Sequence, residues 1–409
     1  MSDWIDCTLG ELADFRNGRT SLDREIGGSI PVFGSNGVIG FSEETNAKLG
    51  TTVIGRVGSY CGSVYYSQTT CWVTDNAIAG EPKRGKADGL FLYYLLKRLN
   101  LNRASQGSGQ PLLNQSILNS IELIVPPNVD EQQSIAEILS SLDEKIELNR
   151  KQIRTLEAIA QVLFKRWLVE FEFLDENGQP YKSSGGAMQP SELGEIPVGW
   201  EVVKIGDAVE ILGGGTPSTK KEAYWVNGPI NWYSPTDLTK SGALFSSGSG
   251  KKITEGGLAN SSAKLFPAYS LMMTSRATIG VISISRTEAC TNQGFITLVP
   301  NEAFPLYPLH GWLLQQLPEI HSKASGSTYK EISRGTFKDF DILRSPEAEK
   351  FSEMVDPIYK KIECNLLESD TLAHIRDTLL PKLLSGELRV STANPSNTNT
   401  NKQPGAAHA

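Results

Sequence analysis

The chain has 409 residues, a formal net charge of -7 and an apolar fraction of 39%. This length is enough for two or more domains, and the acidic balance counts against a free-standing nucleic-acid binder, which is usually basic. The five cysteines form no CxxC pair, no apolar run is long enough to span a membrane and residues 1–4 open no secretory leader. These features exclude a disulfide scaffold and predict a cytoplasmic protein.

The first part of the chain, residues 1–130, is predicted to be a β-rich globular domain. Short apolar runs alternate with Gly, Asn and Ser turns, and strands are predicted over 51–54 and 63–66. A short helix is predicted over 90–99. A strand over 121–125 ends at Pro126, because proline removes a backbone donor from the ladder.

The hydrophobic period changes after Asp130, which is predicted to cap a long helix. Apolar residues then recur at alternating spacings of four and three, which is a heptad seam. The seam positions are Ile135, Leu139, Leu142, Ile146, Asn149, Ile153, Leu156, Ala160, Leu163 and Trp167. The pattern predicts a helical spacer over 131–171, ~60 Å long at about 1.5 Å per residue. An ordinary amphipathic helix on a globular core is the alternative.

The second half of the chain repeats the pattern of the first, with short apolar runs followed by a heptad seam. Residues 172–199 are predicted to be a linker, and residues 200–346 a second β-rich domain with strands over 270–274 and 279–283. A weaker seam over 347–388 predicts a second helical spacer that Pro381 kinks or ends. The Asn-, Thr- and Pro-rich tail over 389–409 is predicted to be disordered.

An internal repeat relates the two halves. Residues 145–149 (Lys-Ile-Glu-Leu-Asn) return as residues 361–365 (Lys-Ile-Glu-Cys-Asn), and Trp4, Gly10 and Thr20 return as Trp200, Gly206 and Thr216. Because the second helix has only the first against which to bury its seam, the pair is expected to run antiparallel. The predicted fold class is therefore α+β, with two pseudo-symmetric globular domains joined by an antiparallel two-helix coiled-coil spacer.

Asparagines interrupt both seams, at Asn149 and Asn365. Polar residues in a seam cost stability and can fix register and orientation, and we expect that role here. Asparagines at a splayed end of the helix pair are the alternative.

Motifs for catalysis are weak in this sequence. Residues 247–252 (Ser-Gly-Ser-Gly-Lys-Lys) resemble the end of a P-loop, but the first glycine is missing and Lys252 stands where Ser or Thr binds magnesium. His310 and His321 lie close in sequence, and two ordinary histidines flanking a helix are the favoured interpretation. No catalytic residue and no metal site is predicted, which favours a recognition protein over an enzyme.

Polar loops recur at corresponding places in the two halves and are candidates for contacts with DNA. Residues 16–20 correspond to 213–221, Arg56 to Arg276, and 106–110 to 325–330. Such loops can place donors and acceptors in a major groove, and structural turns are the alternative. The predicted DNA-binding residues are Arg19, Thr20, Asn36, Arg56, Gln106, Ser108, Gln110, Thr216, Ser218, Lys220, Lys221, Arg276, Ser325, Ser327, Tyr329 and Lys330.

Several segments resemble those of a known family. Residues 193–200 (Leu-Gly-Glu-Ile-Pro-Val-Gly-Trp) are similar to the lead-in to a target-recognition domain of type I restriction–modification specificity (S) subunits. Residues 213–218, followed by 230–232, are similar to the opening of such a domain. Residues 164–171 and 380–388 resemble the ends of the family's central and C-terminal helices. The resemblance covers nearly the whole chain except the tail, although the first half lacks the Gly-Glu-Ile-Pro leader.

This resemblance implies that each globular domain reads one half of a bipartite, gapped site in double-stranded DNA. It implies that the spacer sets the gap and docks two methyltransferase (M) subunits, which carry S-adenosylmethionine. Restriction (R) subunits that use ATP and magnesium can join, and this chain itself binds no cofactor. The alternatives are a coiled-coil adaptor with two protein-binding heads and the recognition half of a restriction enzyme. The second predicts an Asn-Pro-Pro-aromatic methyltransferase motif, which the sequence lacks.

Overall fold

The computed structural model describes residues 4–20, 28–104, 112–326 and 328–390. The chain divides into two compact units, of which the first comprises Met1–Glu147 with Ser369–Ala409 and the second Leu148–Glu368. Each unit contains one β-rich region and part of each long helix. Residues 1–130 are called the first head below, and residues 200–346 the second head. These predicted domain limits, like those at 171, 199 and 388, stay predictions.

The first head is built from short strands and three short helices. The strands are β1 (Ile5–Thr8), β2 (Ala13–Asn17), β3 (Ile30–Gly34), β4 (Gly37–Ser42), β5 (Thr52–Gly55), β6 (Val64–Tyr66), β7 (Trp72–Val73), β8 (Ala77–Pro82) and β9 (Glu122–Val125). The helices are α1 (Leu9–Leu12), α2 (Gly89–Arg98) and α3 (Gln115–Asn119), with 3-10 turns at Gly58–Tyr60 and Leu101–Ala104. The two strands predicted near residues 51–66, the helix over 90–99 and the strand over 121–125 are confirmed to within one or two residues.

Two sheets and a strand pair organise this head. The sheets have the orders β2-β8-β5-β6 and β4-β3-β7, and β1 pairs with β9. The pairing of β3 with β7 is parallel, whereas the others are antiparallel. Helix α2 begins where Asp88 caps it, since the Asp88 carboxylate accepts hydrogen bonds from Leu90 N and Phe91 N.

The first long helix, α4 (Val129–Phe164), continues into a π-helical turn at Lys165–Val169. The prediction that Asp130 caps α4 is wrong. Asn128 takes that place, and its Oδ1 accepts a hydrogen bond from Asp130 N at 2.8 Å. Two potential capping residues stand within one turn here, and a sequence rule does not decide between them. Asp130 instead lies in the first turn, where its charge is favourable to the helix dipole.

The predicted linker over 172–199 is folded. It contains a hairpin of β10 (Met188–Ser191) and β11 (Gly194–Pro197). Phe173 stacks on Trp200 with ring centroids 5.6 Å apart, and both side chains are buried in the second unit. The polar composition of this stretch did not indicate the hairpin, because a few buried aromatic residues hold it.

The second head repeats the first with additions. Its strands are β12 (Glu201–Lys204), β13 (Glu210–Gly213), β14 (Ile230–Tyr233), β15 (Phe245–Ser246), β16 (Lys251–Ile253), β17 (Leu271–Thr274), β18 (Ile282–Ser285), β19 (Ala289–Thr291), β20 (Phe295–Val299) and β21 (Asp341–Arg344). Its helices are α5 (Ile205–Ala208), α6 (Pro235–Ser241), α7 (Glu255–Ala259), α8 (Leu306–Lys323) and α9 (Arg334–Lys338), with a 3-10 turn at Glu222–Tyr224. The strand predicted over 270–274 is confirmed, and that over 279–283 begins three residues later.

The sheet orders confirm the internal repeat. The second head has the orders β13-β20-β17-β18-β15 and β16-β14-β19, and β12 pairs with β21. Each strand of the first head therefore has a counterpart with the same neighbours, and β15 is an added edge strand. The helices α6 and α7 are likewise present only in the described part of the second head.

The second long helix, α10 (Ala348–Ser385), passes through Pro381 and ends four residues later. The prediction that the helix ends at Pro381 is therefore wrong. Leu383 and Leu384 are buried in the core of the first unit. Arg98 Nη1 also donates a hydrogen bond to Leu384 O at 2.7 Å. Tertiary contacts thus hold the last turn although proline weakens it.

Within each unit the two helices pack antiparallel, as predicted. In the second unit, Phe164 near the end of α4 meets Phe351 near the start of α10, with ring centroids 6.1 Å apart. In the first unit, Asp143 of α4 and Arg376 of α10 form an ion pair at 2.5 Å. All predicted seam positions are buried or half-buried. The predicted fold class is confirmed, and none of the described helices is both long and apolar enough to cross a membrane.

The two seam asparagines form a reciprocal arrangement in the second unit. Asn149 Nδ2 donates to Glu368 Oε2 at 2.9 Å, and Asn365 Nδ2 donates to Gln152 Oε1 at 2.9 Å. Each asparagine therefore binds the side chain three positions after the other asparagine. Both asparagines are buried. The two hydrogen bonds form together in this register of the two helices, as expected for polar residues that fix the register of a seam.

Candidate nucleic-acid interface

A glycine allows the chain to leave β2 and β13 in the same way in each head. A Cβ on Gly18 would lie 2.1 Å from Thr74 O, and a Cβ on Gly214 would lie 2.0 Å from Asn292 O. Only glycine fits such a close approach of two backbones. These two residues are therefore equivalent, which places the loops after them in corresponding positions.

The backbone register confirms the predicted equivalence of Thr20 and Thr216. Arg19 N donates to Val73 O at 3.0 Å, and Gly215 N donates to Thr291 O at 2.9 Å. The next residue in each head is a threonine with an exposed side chain. The loops predicted over 16–20 and 213–221 thus match at this point.

A short turn in each head lies against that loop. The first turn comprises residues 74–76 between β7 and β8, and the second turn comprises residues 292–294 between β19 and β20. Thr74 N donates to Phe33 O and Asn292 N donates to Tyr233 O, each at 2.9 Å. The central residues of the two turns are Asp75 and Gln293, which are both exposed.

The predicted equivalence of Arg56 and Arg276 is wrong by one residue. Arg56 N donates to Asn76 O at 3.0 Å, and the matching bond runs from Ser275 N to Gly294 O at 2.8 Å. The residue that follows forms an antiparallel bridge in each head, Val57 with Leu112 and Arg276 with Glu331. Arg56 therefore corresponds to Ser275. Because successive side chains of an extended chain point to opposite sides, a shift of one residue reverses the direction.

Both arginines nevertheless lie beside a turn. Arg56 is half-buried, and its Nη1 donates to Asp75 O at 3.3 Å. Arg276 is exposed and pairs with Glu331, with Nε 3.6 Å from Oε2. Each head therefore supplies a guanidinium beside its turn, from different positions of the backbone.

The second head has an open groove of about 420 Å³ beside its turn. Its lining offers hydroxyl, amide and guanidinium groups, from Thr236, Thr239, Arg276, Thr278, Asn292, Gln293 and Tyr329. Thr216 Oγ1 donates a hydrogen bond to Gln293 Oε1 at 2.8 Å, at the same place. Such a mixture of donors and acceptors is what the edges of base pairs require.

Other predicted residues of the second head form a separate basic and aromatic patch. Lys221 Nζ donates to Tyr224 OH at 3.1 Å and lies 5.0 Å from the centre of that ring. Lys251 Nζ lies 5.7 Å from the ring centre of Trp225, whose Nε1 donates to Ser218 O at 3.2 Å. Lys220 is exposed next to this patch in sequence. These lysines carry charge suited to phosphate oxygens.

The loop that precedes α9 carries the remaining predicted residues of this head. Ser325 exchanges two backbone hydrogen bonds with Glu331, at 3.0 and 2.8 Å, and Lys330 O accepts one from Ala277 N at 3.0 Å. The side chains of Ser325, Tyr329 and Lys330 are exposed. Tyr329 reaches the groove, whereas the other two do not line it. Ser327 lies outside the described residues.

In the first head, the predicted residues that the structure describes gather near the first turn. Arg19 forms a bridge with Thr74 and is exposed. Asn36 is exposed in the turn between β3 and β4, next to Ser35, whose hydroxyl donates to Asn76 O. Gln106, Ser108 and Gln110 lie outside the described residues.

Comparison with known proteins identifies the family. The model of the type I restriction modification DNA specificity domain matches residues 1–158 and again residues 197–368. The chain belongs to this family. Each match covers one head and a large part of the helix that follows it, as expected for a duplicated domain.

Curated relatives are themselves specificity subunits. The chain is 32% identical over 314 residues to the type I restriction enzyme MjaIX specificity subunit of Methanocaldococcus jannaschii, covering 73% of this chain and 69% of the relative. It is 28% identical over 333 residues to the HindI specificity subunit of Haemophilus influenzae, covering 68% and 71%. Its fold is similar to the crystal structure of a type I restriction–modification S subunit from M. genitalium, with a TM-score of 0.63, 18% identity and 94% and 96% coverage.

In this member of the specificity family, the exposed residues at the centres of the two turns were not among the predicted DNA-binding residues. Asp75 and Gln293 were not predicted, because the repeat was traced through residues that the halves share and these two differ. The available signal was a short polar turn between two apolar runs in each half of the chain.

The three histidines that the structure of this specificity protein describes, His310, His321 and His374, all lie in the helices α8 and α10. His310 and His321 both lie inside α8, so the prediction that they flank a helix is corrected. His310 is buried, with Nδ1 2.8 Å from Tyr359 OH, and burial lowers its pKa to about 4. Residues 247–252 run into strand β16 rather than into a helix, which is not the geometry of a P-loop. The described residues contain no group of three or more His, Cys, Asp or Glu placed to hold a metal ion.

Proposed function

We propose that this chain is the DNA sequence-specificity subunit of a type I restriction–modification complex. Each head reads one half of a bipartite, gapped site in double-stranded DNA. The observation that carries this proposal is the duplicated turn: both heads hold it with the same backbone hydrogen bonds and present different side chains from it. A shared scaffold with different polar groups is suited to reading two different half-sites.

Recognition divides into positioning and base reading. Exposed cations such as Lys220, Lys221 and Arg19 neutralise phosphates and set the register of a head on the duplex. Side chains around the turns contact base edges in the major groove, with Arg276 and Tyr329 in the second head and Arg56 in the first. The deformability of the DNA in the gap adds selectivity without contacts.

The long helices dock two methyltransferase subunits in this proposal. Large apolar side chains outside the seam are exposed on both helices, among them Leu148, Val162 and Ile375 at 48%, 65% and 40%. These exposed apolar side chains support the binding of other proteins to the helices. The methyltransferase subunits bring S-adenosylmethionine and receive the flipped adenine, and restriction subunits bring ATP and magnesium. This chain supplies no catalytic residue and works in the cytoplasm.

The test is to co-express the chain with the methyltransferase subunit of its genome and to map methylated adenines in the host. A two-part, gapped motif that is methylated on both strands is expected, and methyltransferase expressed alone is the control. A stable complex without any methylated motif overturns the proposal. Absence of any complex supports the protein-adaptor alternative instead.

A further inference from the structure

We propose that Asp75 and Gln293 are base-reading residues, and that they select different bases at equivalent positions of the two half-sites. Asp75 selects a cytosine and Gln293 an adenine. This inference rests on the proposed function and adds to it which residues discriminate and what they discriminate.

The first step is that the two positions are equivalent. In each head, three backbone hydrogen bonds tie the turn to its surroundings: to the strand beside it, to the loop after the glycine and to the chain that follows the neighbouring strand. In the first head the bonds join Thr74 to Phe33, Arg19 to Val73 and Arg56 to Asn76, at 2.9 to 3.0 Å. In the second head the bonds join Asn292 to Tyr233, Gly215 to Thr291 and Ser275 to Gly294, at 2.8 to 2.9 Å. The turns are therefore held alike and present their central side chains alike.

The second step concerns the chemistry of Gln293. Its Oε1 accepts the hydroxyl hydrogen of Thr216 at 2.8 Å, which fixes the plane of the amide. One lone pair of Oε1 and both hydrogens on Nε2 then remain for a ligand. A glutamine amide with an acceptor and a donor side by side pairs with N6 and N7 of adenine in the major groove. Thr216 acts through Gln293 and is a positioning residue.

The third step concerns the chemistry of Asp75. An ionised carboxylate only accepts hydrogen bonds, and the amino group on C4 is the donor that cytosine presents in the major groove. Arg56 Nη1 donates a hydrogen bond to the main-chain oxygen of Asp75 at 3.3 Å and so places a cation at the first turn. This cation offsets the repulsion between the carboxylate and DNA phosphates.

The two side chains thus differ in the one property that decides which base they accept. An amide both donates and accepts, whereas a carboxylate only accepts. Both side chains are exposed, so packing inside the protein does not explain why aspartate stands in one head and glutamine in the other. The two half-sites are expected to differ at the position that these residues contact.

The experiment uses the full chain in complex with its methyltransferase subunits and selects bound duplexes from a random DNA library. The wild-type complex is expected to enrich a two-part motif with cytosine in one half and adenine in the other. D75N is expected to lower the preference for that cytosine roughly 10- to 100-fold and to leave the other half unchanged. Q293E is expected to replace adenine by cytosine at one position of the second half only.

Two further variants separate reading from structural damage. D14N makes the same change of charge on β2, where Asp14 is paired with Lys83 at 3.4 Å, and is expected to keep the wild-type motif. T216V is expected to weaken the adenine preference without changing the preferred base, and T216S, which restores the hydroxyl, is expected to rescue it. Co-elution of each variant with the methyltransferase verifies folding.

Wild-type motifs for D75N and Q293E overturn the assignment, as does an equal loss at every position of both halves. A wild-type complex that enriches no motif overturns the proposed function itself, and the assignment with it. These two failures are distinguishable because only the second affects the unmodified chain.

Discussion

Arg276 stands out at the residue scale because it is exposed at the groove and only loosely paired with Glu331, at 3.6 Å. An exposed pair of this kind contributes little to stability, so the guanidinium is available for DNA. We expect Arg276→Ala to weaken binding to the half-site of the second head by about 1–3 kcal/mol and to leave the other half-site unchanged. Binding titrations with duplexes that carry one intact and one scrambled half-site measure this.

Arg56→Ala is the counterpart in the first head and is expected to weaken the other half-site only.

Arg344→Ala is the control for Arg276→Ala. Arg344 is an exposed arginine on β21 of the same head, lies outside the groove and pairs with Glu201 at 3.0 Å. Equal losses at both half-sites in either variant would contradict the assignment of these arginines.

His310 gives the second unit a dependence on pH. Burial lowers its pKa to about 4, whereas an unfolded histidine titrates near 6.5. The unfolded state therefore binds more protons between these values, and stability falls as the pH is lowered from about 7 towards 4. The loss reaches about 1 kcal/mol at pH ~5.5 and up to about 3 kcal/mol near pH ~4.

His310→Gln removes the titrating group, and the variant is expected to lose less stability than the wild type between neutral and mildly acidic pH. Urea unfolding followed by tryptophan fluorescence at two pH values measures the difference. His321→Gln is the matched control in the same helix, since His321 is exposed. A wild-type pH profile in His310→Gln would show that other groups carry the effect.

At the scale of the element, the reciprocal asparagines of α4 and α10 lower the stability of the helix pair and fix its register. Replacing both by leucine removes two buried polar side chains from the seam. We expect Asn149→Leu with Asn365→Leu to raise the free energy of unfolding by about 1–4 kcal/mol. The same variant is expected to broaden the range of gap lengths that the complex accepts, measured by selection from libraries with varied gaps.

A single leucine at either position is the control for this experiment. It removes one half of the reciprocal exchange and leaves a buried asparagine in the seam, so it is expected to stabilise less than the double change. A double variant with unchanged stability and an unchanged gap would contradict the role of these residues in register.

Helix ends show where local sequence rules stop. Pro381 has the residue type that ends helices, yet α10 continues to Ser385 because Leu383 and Leu384 are buried. Asp130 has the residue type that begins them, yet Asn128 caps α4. Contacts of the fold therefore decide the end of α10, whereas at α4 one local capping residue takes precedence over another two residues away.

At the scale of the whole molecule, two equivalent glycines allow each head to be disabled separately. A Cβ at Gly18 or at Gly214 would overlap a carbonyl oxygen of the adjacent turn, at 2.1 or 2.0 Å. We expect Gly18→Ala to cost ~1–3 kcal/mol in the first head and to abolish selection in its half-site only. Gly214→Ala is expected to do the same in the second head.

The open glycine Gly85 is the control for these substitutions. A Cβ there meets nothing within 4 Å, although its φ of +73° adds local strain. Asparagine is one of the few residues that adopt this left-handed conformation, so Gly85→Asn is expected to keep both halves of the motif. Selection from a random library measures all three variants, and loss of both halves from either clashing variant would contradict separate reading.

The net charge of -7 predicts how the chain behaves without partners. Affinity for DNA depends mainly on cations that neutralise phosphates, and this chain has an excess of anions. We expect the isolated chain to bind its site at least ~10-fold more weakly than the complex with methyltransferase subunits, with a smaller dependence on salt. Fluorescence anisotropy over a range of salt concentrations measures both, and equal salt slopes would contradict the expectation.

Most of the architecture was predictable from the sequence, because the repeat and the heptad seams are long-range patterns. Thr20 and Thr216 were matched correctly since both halves retain this threonine. Arg56 and Arg276 were mismatched, because matching by residue type ignores the register of an extended chain. Asp75 and Gln293 were missed altogether. A search for repeats finds what two heads share, whereas selectivity depends on where they differ.

The backbone bonds that hold the two turns have a consequence for how such a protein evolves. They involve main-chain atoms only, and the central side chains are exposed, so replacing Asp75 or Gln293 costs the fold little. Surface substitutions of this kind usually change stability by less than about 0.5 kcal/mol. With the base-reading role proposed for these two residues, a lineage can acquire a new recognition sequence by single mutations, without first accumulating stabilising changes elsewhere in the chain.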